Sequence, residues 1–198
     1  MNHLDISLNN IGDLHSFSSK KFEDKIGAII NIGHEKTDVS LFNKGIIVKS
    51  SIINMGGKNI DNDISYIYKV DFPTAKELKF KFALAHKKNA SVNDIIEVKS
   101  VRDAHLKINQ FEISEVVQSR LEEILTEAKK EINLLTSRQI DYIIITGGTS
   151  NMLGIEYIVR DIFGDNASIG NIKLLGIRDN IYSSAIFTPP LKAVLPSI

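Results

Sequence analysis

The chain contains no cysteine among its 198 residues. Disulfide staples and thiolate metal sites are therefore excluded, and a reducing compartment is compatible with the composition. A surplus of one charge is also missing. The 24 Lys and Arg residues balance 24 Asp and Glu, so the basic footprint of a nucleic-acid binder is absent. No apolar run approaches the ~18–20 residues of a membrane span. The opening MNHLDISLNNIGDLHS is polar and lacks an uninterrupted apolar core, which argues against a signal peptide. His34, His86 and His105 have no metal-ligand spacing and read as structural. No repeat of solenoid period and no low-complexity tract occurs. What is present is a globular balance of 43% hydrophobic and 24% charged residues, enough for a sizeable core in one domain or two small lobes.

Three strands are expected first. Gly27 to Ile32 is a continuous apolar run broken only by Asn31, and Val39–Phe42 and Ile46–Ile53 follow it. Asn43-Lys44-Gly45 is a short hairpin turn. Gly56-Gly57 then breaks the chain into a helix with Ile60, Ile64, Ile67 and Tyr68 on one stripe. Pro73-Thr74 opens a second helix through Ala75, Leu78, Phe82 and Ala85. Ile95–Val101 and Val101–Ile108 suggest a small hairpin, with a turn at Arg102-Asp103. Asn109 caps a long helix and Glu112 completes a capping box. Apolar residues recur at threes and fours from Ile113 to Leu135. Ile140–Thr146 is a buried strand ending in Gly147-Gly148, followed by a helix from Met152 to Phe163 that Gly164 stops. An opening meander followed by helices and a further strand implies an α/β fold with a mixed sheet, as in one lobe of a two-lobed ATPase.

Gly33, Gly56-Gly57 and Gly147-Gly148 each follow a strand. A missing side chain lets a ligand approach the backbone, and a helix N-terminus offers N–H groups to an anion. The same glycines equally serve close strand-to-helix packing. The spacing alone leaves both readings open.

The motifs around these glycines resemble a family. Asn31-Ile32-Gly33-His34-Glu35-Lys36-Thr37-Asp38 is similar to a phosphate loop D-I-G-G-G-T-T-D. Met55-Gly56-Gly57-Lys58-Asn59-Ile60-Asp61-Asn62-Asp63-Ile64-Ser65 resembles V-G-G-x-x-I-T-N-D-I-A. Ala75-Lys76-Glu77-Leu78-Lys79 stands at A-E-x-x-K, and the stretch Ile113–Glu123 resembles L-A-E-I-I-x-x-R-x-E-E. Ile145-Thr146-Gly147-Gly148 matches an adenosine loop L-T-G-G, with Met152-Leu153-Gly154-Ile155 like the P-G-[IL] after it. Gly176-Ile177-Arg178-Asp179 and Tyr182-Ser183-Ser184-Ala185 resemble G-V-R-x-P-x-Y-S-T-A. In this order the motifs resemble the second half of the actin-like ATPase superfamily, which includes sugar kinases and DnaK-type chaperones, and most closely the FtsA family of bacterial cell-division proteins.

The resemblance implies an actin-like (ribonuclease H-like) lobe with a mixed sheet and a small inserted α+β subdomain. Residues 1–25 would be a leader or linker, 26–70 and 133–187 the actin-like subdomain, 71–132 the insertion and 188–198 a tail. It implies a nucleotide site at Gly33, Thr37, Gly56, Gly57, Lys79, Gly147 and Gly148, with ATP and Mg²⁺ in the two-lobed protein. Several positions depart from that pattern. Asn31 replaces the aspartate of the Mg²⁺ shell and has lost its charge. His34 and Glu35 replace two loop glycines, Lys76 replaces the ribose-contacting glutamate, and Phe187 ends the hinge segment Ala185-Ile186-Phe187 where the family has glycine. These departures imply weak or no nucleotide binding and no catalysis in this chain. Nothing before Gly27 resembles the first lobe's phosphate loop, and TPPLKAVLPSI does not resemble the family's membrane-binding helix. Membrane contact is thus expected only through segments absent here.

Arg120 and Glu123 sit three apart on the polar face of the long helix. Chemistry alone reads them as a solvated ion pair worth a few tenths of a kcal/mol. The resemblance implies instead that they receive the C-terminal peptide of the tubulin-like protein FtsZ. Lys79, Lys81, Lys87 and Lys88 form a basic run that reads as a solvated face, except that Lys79 aligns with the family's adenosine-side lysine. Phe80 and Phe82 are more consistent with core than with a contact surface. The function implied is a cytoplasmic division scaffold at the inner face of the membrane, self-associating like actin. One rival is a lobe of an active actin-like ATPase or sugar-kinase-like enzyme. Another is a pilus-assembly or plasmid-segregation actin homologue.

Overall fold

The computed structural model describes residues 25–170. The leader, the motifs between Gly176 and Ala185, the hinge segment and the tail lie outside them. Five strands form a mixed sheet in the order β3-β2-β1-β6-β7. The strands β1 (Ile26–Ile32), β2 (Thr37–Asn43) and β3 (Ile46–Ile53) make the expected antiparallel meander. Lys44 and Gly45 take φ of 52° and 73°, which lets a two-residue turn follow the strands' twist. Strand β6 (Tyr142–Thr146) runs parallel to β1, and β7 (Ala167–Ile169) runs parallel to β6. β6 is buried along its whole length. A strand covered on both faces reads as a continuous apolar run, which is why β1 and β6 do not alternate. β7 escaped the sequence reading because three residues carry no period.

The α-helices among the described residues are α1 (Gly57–Tyr68), α2 (Phe72–Lys81), α3 (Gln110–Leu135) and α4 (Ile155–Phe163), with the hairpin β4 (Ile95–Lys99) and β5 (His105–Asn109) between α2 and α3. α2 is capped by Asp71, whose Oδ1 accepts from the Thr74 N–H at 2.9 Å. α3 is capped by Asn109, whose Oδ1 accepts from the Glu112 N–H at 2.7 Å. Both are N-caps that satisfy an otherwise orphaned donor. Gly164, at φ 83°, ends α4.

Three boundaries differ from expectation. α2 stops at Lys81 rather than Ala85, because the Ala85 N–H leaves the helix ladder for the Leu153 carbonyl at 2.9 Å. The hairpin's return strand begins at His105, not Val101: Ser100 Oγ accepts from the N–H groups of Arg102 and Ala104, and Asp103 takes φ 59°. A 3₁₀ turn, Gly148–Asn151, precedes α4.

One apolar cluster joins Ile30, Ile32, Val39 and Leu41 of the sheet to Ile60 and Ile64 of α1, Leu78 of α2, Leu121 and Ile124 of α3, and Ile158 and Val159 of α4. The opposite face of the sheet carries Ile29, Phe42, Tyr142 and Ile144. There the Tyr142 ring lies directly over Gly27, where an added Cβ would stand 1.8 Å from the ring. Ile67 continues the apolar stripe of α1 by sequence, yet it is 51% exposed. Ile67 instead lines a groove between α1 and α3, while its neighbour Tyr68 packs against the core.

Candidate functional site

Two places carry the residues singled out from sequence. The first is the junction of the three glycine turns. β1 and β6 are parallel neighbours with Asn31 opposite Thr146, so the loops that leave their carboxyl ends must lie side by side, the usual ligand position of an α/β sheet. The N-terminus of α1 closes against the same point. The Gly57 N–H donates to the Gly33 carbonyl at 2.9 Å, and the Lys58 N–H donates to the His34 carbonyl at 2.7 Å. Thr149 Oγ1 also donates to the Gly33 carbonyl, at 3.3 Å. Thr37 is fully buried, and its Oγ1 donates to the Met55 carbonyl at 2.8 Å.

The glycines are needed here for protein-to-protein approach. A Cβ on Gly56 would come within 2.7 Å of the carbonyl oxygens of Gly33 and His34. One on Gly147 would meet the Ile32 carbonyl at 2.4 Å and Asn31 Oδ1 at 2.6 Å, and Gly147 has φ +96°. Gly148 opens the 3₁₀ turn. The structure thus brings Gly33, Thr37, Gly56, Gly57, Gly147 and Gly148 together.

Lys79 arrives at this junction from α2. Its side chain is 1% exposed; Nζ donates to the Gly57 carbonyl at 2.9 Å and lies 2.7 Å from Asp61 Oδ1. Burial pushes the Lys79 ammonium pKa down, and the Asp61 carboxylate pulls it back up. Asp61 is fully buried on α1. Its contact with Lys79 is an ion pair without hydrogen-bond alignment, and its Oδ2 meets no donor. The nearest other cationic candidate is His34, with Nδ1 3.9 Å from that Oδ2. Thr146 Oγ1 is likewise buried without a partner.

The charged turn itself is laced down. Glu35 accepts from Lys58 Nζ at 3.1 Å, a bond that lowers the Glu35 pKa. Lys36 Nζ stands 3.7 Å from Asp38, and the His34 ring packs edge-on to Phe72. Asp61 was quoted from sequence only as part of a motif; its signal was a carboxylate beside Ile60 on an apolar stripe. Among the described residues, no group of three His, Cys, Asp or Glu is placed to hold a metal ion.

The second place is a groove of about 300 Å³ between α1 and α3, lined by Asp63, Ile67, Glu115, Val116, Ser119, Arg120 and Glu123. Arg120 spans it. Its Nε donates to Asp63 Oδ2 at 2.6 Å and its Nη2 to Asp63 Oδ1 at 2.9 Å, a two-pronged match to the carboxylate. Nη1 donates to Glu123. The Asp63 hydrogen bonds hold the Arg120 pKa above its ordinary value. Ile67 and Val116 supply an apolar floor beside this network. Asp63 and Ile67 were missed as site residues, although both lie one helical turn apart on α1.

The family model of the cell division protein FtsA matches residues 28–186. FtsA of Staphylococcus epidermidis is 30% identical over 169 residues, which cover 84% of this chain and 36% of that protein. FtsA of Pseudomonas aeruginosa is 28% identical over 195 residues, covering 92% of this chain and 46% of that protein. The chain therefore spans less than half the length of these relatives. Among solved structures, MreB5 of Spiroplasma citri bound to AMPPNP superposes with a TM-score of 0.69 at 18% identity, over 96% of this chain and 58% of that one. An archaeal actin homologue gives 0.60 at 18% identity, over 94% and 55%. Likeness at this identity establishes the actin-like α/β fold and no more.

Proposed function

The chain belongs to the family of the cell division protein FtsA, and from that premise we propose that it is a protein-binding scaffold of division rather than a nucleotide-hydrolysing enzyme. Its groove between α1 and α3 receives the C-terminal peptide of FtsZ. The observation that carries this reading is Arg120, held between Asp63 and Glu123 above the apolar pair Ile67 and Val116. A peptide with mixed apolar and charged side chains finds there a floor for the first and oriented partners for the second. The groove lies partly on the proposed insertion, residues 71–132, and the scaffold associates head to tail with further copies. It works in the cytoplasm at the inner face of the membrane, at the division septum. Among the described residues no helix is long and apolar enough to cross a membrane.

The residues at the glycine junction do not fit a bound Mg-nucleotide. The first N–H groups of α1, which would otherwise face an anion, are taken by the carbonyls of Gly33 and His34. Lys79 is committed to Asp61, and position 31 offers an amide where a divalent cation needs charge. This geometry supports a degraded nucleotide site.

The alternative, one lobe of a working ATPase, is favoured by the unpartnered Thr146 hydroxyl at the strand end. Calorimetry with Mg-ATP on the full-length protein separates the two, since turnover supports only the alternative. The peptide reading is tested by titrating a synthetic FtsZ C-terminal peptide against the wild type and Arg120→Glu. Binding by the wild type that drops at least tenfold in the variant supports it; no wild-type binding, or no drop, overturns it.

A further inference from the structure

We propose that the outer edge of β3 pairs with the β3 of a second copy of this chain, antiparallel and about a two-fold axis at Ser50, so that two sheets become one. Among the described residues β3 has β2 as its sole neighbour. Its other edge therefore carries unpaired backbone N–H and C=O groups. Natural edges are blunted by proline, by free lysines or by bulges. The strand IIVKSSII has no proline and a single charge. That charge is engaged, because Lys49 Nζ donates to the Leu135 carbonyl of α3 at 2.7 Å. A register shift between Leu41 and Phe42 leaves Val48 as a bulge but keeps residues 49–53 in regular pairing with β2. Val48 is 48% and Ile52 57% exposed, so the open edge also presents apolar side chains.

The strand is complementary to itself in this register. With Ser50 opposite its own copy, Lys49 faces Ser51 and Val48 faces Ile52, each pair occurring twice. Val48 and Ile52 form a β-branched cross-strand pair that covers both. Ser51 Oγ donates to Glu131 Oε2 at 2.6 Å, which holds the Glu131 carboxylate beside the second copy's Lys49. Opposite charges thus meet on both sides of the axis. Neighbouring registers lose this match: an axis at Lys49 sets two lysines face to face, and one at Ser51 sets the two Glu131 carboxylates together. α3 packs across both β2 and β3. With strands ~4.8 Å apart, the two copies of α3 come to lie about 10 Å apart, an ordinary helix-to-helix spacing. The contact is isologous, so it differs from the head-to-tail association proposed above and does not depend on it.

The test uses the full chain, with the folding of each variant checked by circular dichroism. Sedimentation velocity over a concentration series is expected to show a monomer–dimer equilibrium for the wild type. Ile52→Lys, at an exposed position, is expected to weaken the dimer at least tenfold. Val48→Glu/Ile52→Lys is expected to restore it, because each new lysine then faces a glutamate of the other copy. The natural chain has no cysteine, so oxidation reports the register directly. Ser50→Cys alone is expected to give a cross-linked dimer, whereas Lys49→Cys and Ser51→Cys should cross-link with each other faster than either does with itself. A wild type that stays monomeric at every concentration overturns this contact and head-to-tail assembly alike. Association that Ile52→Lys leaves unchanged, or that Ser50→Cys fails to trap, belongs to another surface; it overturns the β3 contact and leaves head-to-tail assembly standing.

Discussion

The Gly57 N–H donates to the Gly33 carbonyl at 2.9 Å, so the first turn of α1 is fastened to the end of β1 by backbone alone. Two of the three glycine motifs in this chain meet in that one bond. The third, at Gly147, closes on the carbonyl of Ile32, the residue before Gly33. Glycine at these points serves the approach of one main chain to another, and the same approach consumes the donors that an anion would need.

The glycine positions should therefore differ sharply in tolerance. Gly147→Ala combines a positive φ with a backbone clash and should destabilise by roughly 3 kcal/mol or more. Gly56→Ala, in extended backbone but facing two carbonyls at 2.7 Å, should cost roughly 2 kcal/mol. Gly45→Ala has open space and only its φ of +73° to strain it, and should cost about 1 kcal/mol. Urea denaturation of the three variants checks the order. A cost at Gly45 equal to that at Gly147 would contradict the packing argument.

Asn109 offers a cleaner measurement, because its cap touches neither candidate site. Asn109→Ala leaves the Glu112 N–H without its acceptor and should lower stability by about 1 kcal/mol. Asn109→Asp keeps the acceptor and adds a favourable charge at the helix start, so it should be neutral or slightly stabilising. No loss in Asn109→Ala would show that the cap contributes nothing, and equal losses in both variants would show that the side-chain acceptor is not its source.

The strands and the long helix were legible because their signals are local. Ile29 to Ile32 and Ile143 to Ile145 are apolar runs, and α3 carries its period from Ile113 to Ile132 together with its own cap. What could not be read depends on partners distant in the chain. Asp61 lies in the polar run Asp61-Asn62-Asp63, and only Lys79, arriving from another helix, makes its burial possible. Ile67 fits the stripe of α1 by spacing, but spacing does not reveal that it lines the groove beside α3 instead of the core. Phe82 to Ala85 prolong an apolar pattern, but the Leu84 N–H goes to Ser114 Oγ and the Ala85 N–H to the Leu153 carbonyl. Arg120 and Glu123 were found from sequence, whereas Asp63, the stronger partner of Arg120, belongs to a different helix.

Tyr68 predicts an alkaline limit. Burial, with the nearby carboxylates of Glu112 and Glu115, raises its pKa to about 12, against about 10 for a free phenol. An acid raised by folding contributes stability that is complete below the unfolded pKa and is lost as pH rises through the folded one. Wild type should therefore lose stability between about pH 10 and about pH 12. Tyr68→Phe, which has no phenol to ionise, should show a shallower fall over that window. Denaturant titrations at about pH 9 and about pH 11 decide the matter, and parallel losses in the two proteins would exclude Tyr68 as the source.

Arg120 and Asp63 tie α1 to α3 through two parallel hydrogen bonds, with side chains 26% and 27% exposed. That exposure limits their worth. Screening by water and salt reduces such a pair to about 1 kcal/mol even with two-pronged geometry. A double-mutant cycle with Arg120→Gln and Asp63→Asn should return a coupling of that size at low salt and less at high salt. Arg120→Lys keeps the charge but cannot reproduce the planar fork, so it should retain under half of the coupling. The consequence for the groove separates orientation from charge. Asp63→Asn leaves Arg120 charged but loosely held, so under the proposed peptide reading the FtsZ peptide should bind it more weakly than wild type yet more tightly than it binds Arg120→Glu. If Asp63→Asn and Arg120→Glu lose affinity equally, the ion pair supports the groove as a whole; if Asp63→Asn loses none, Arg120 needs no orienting partner.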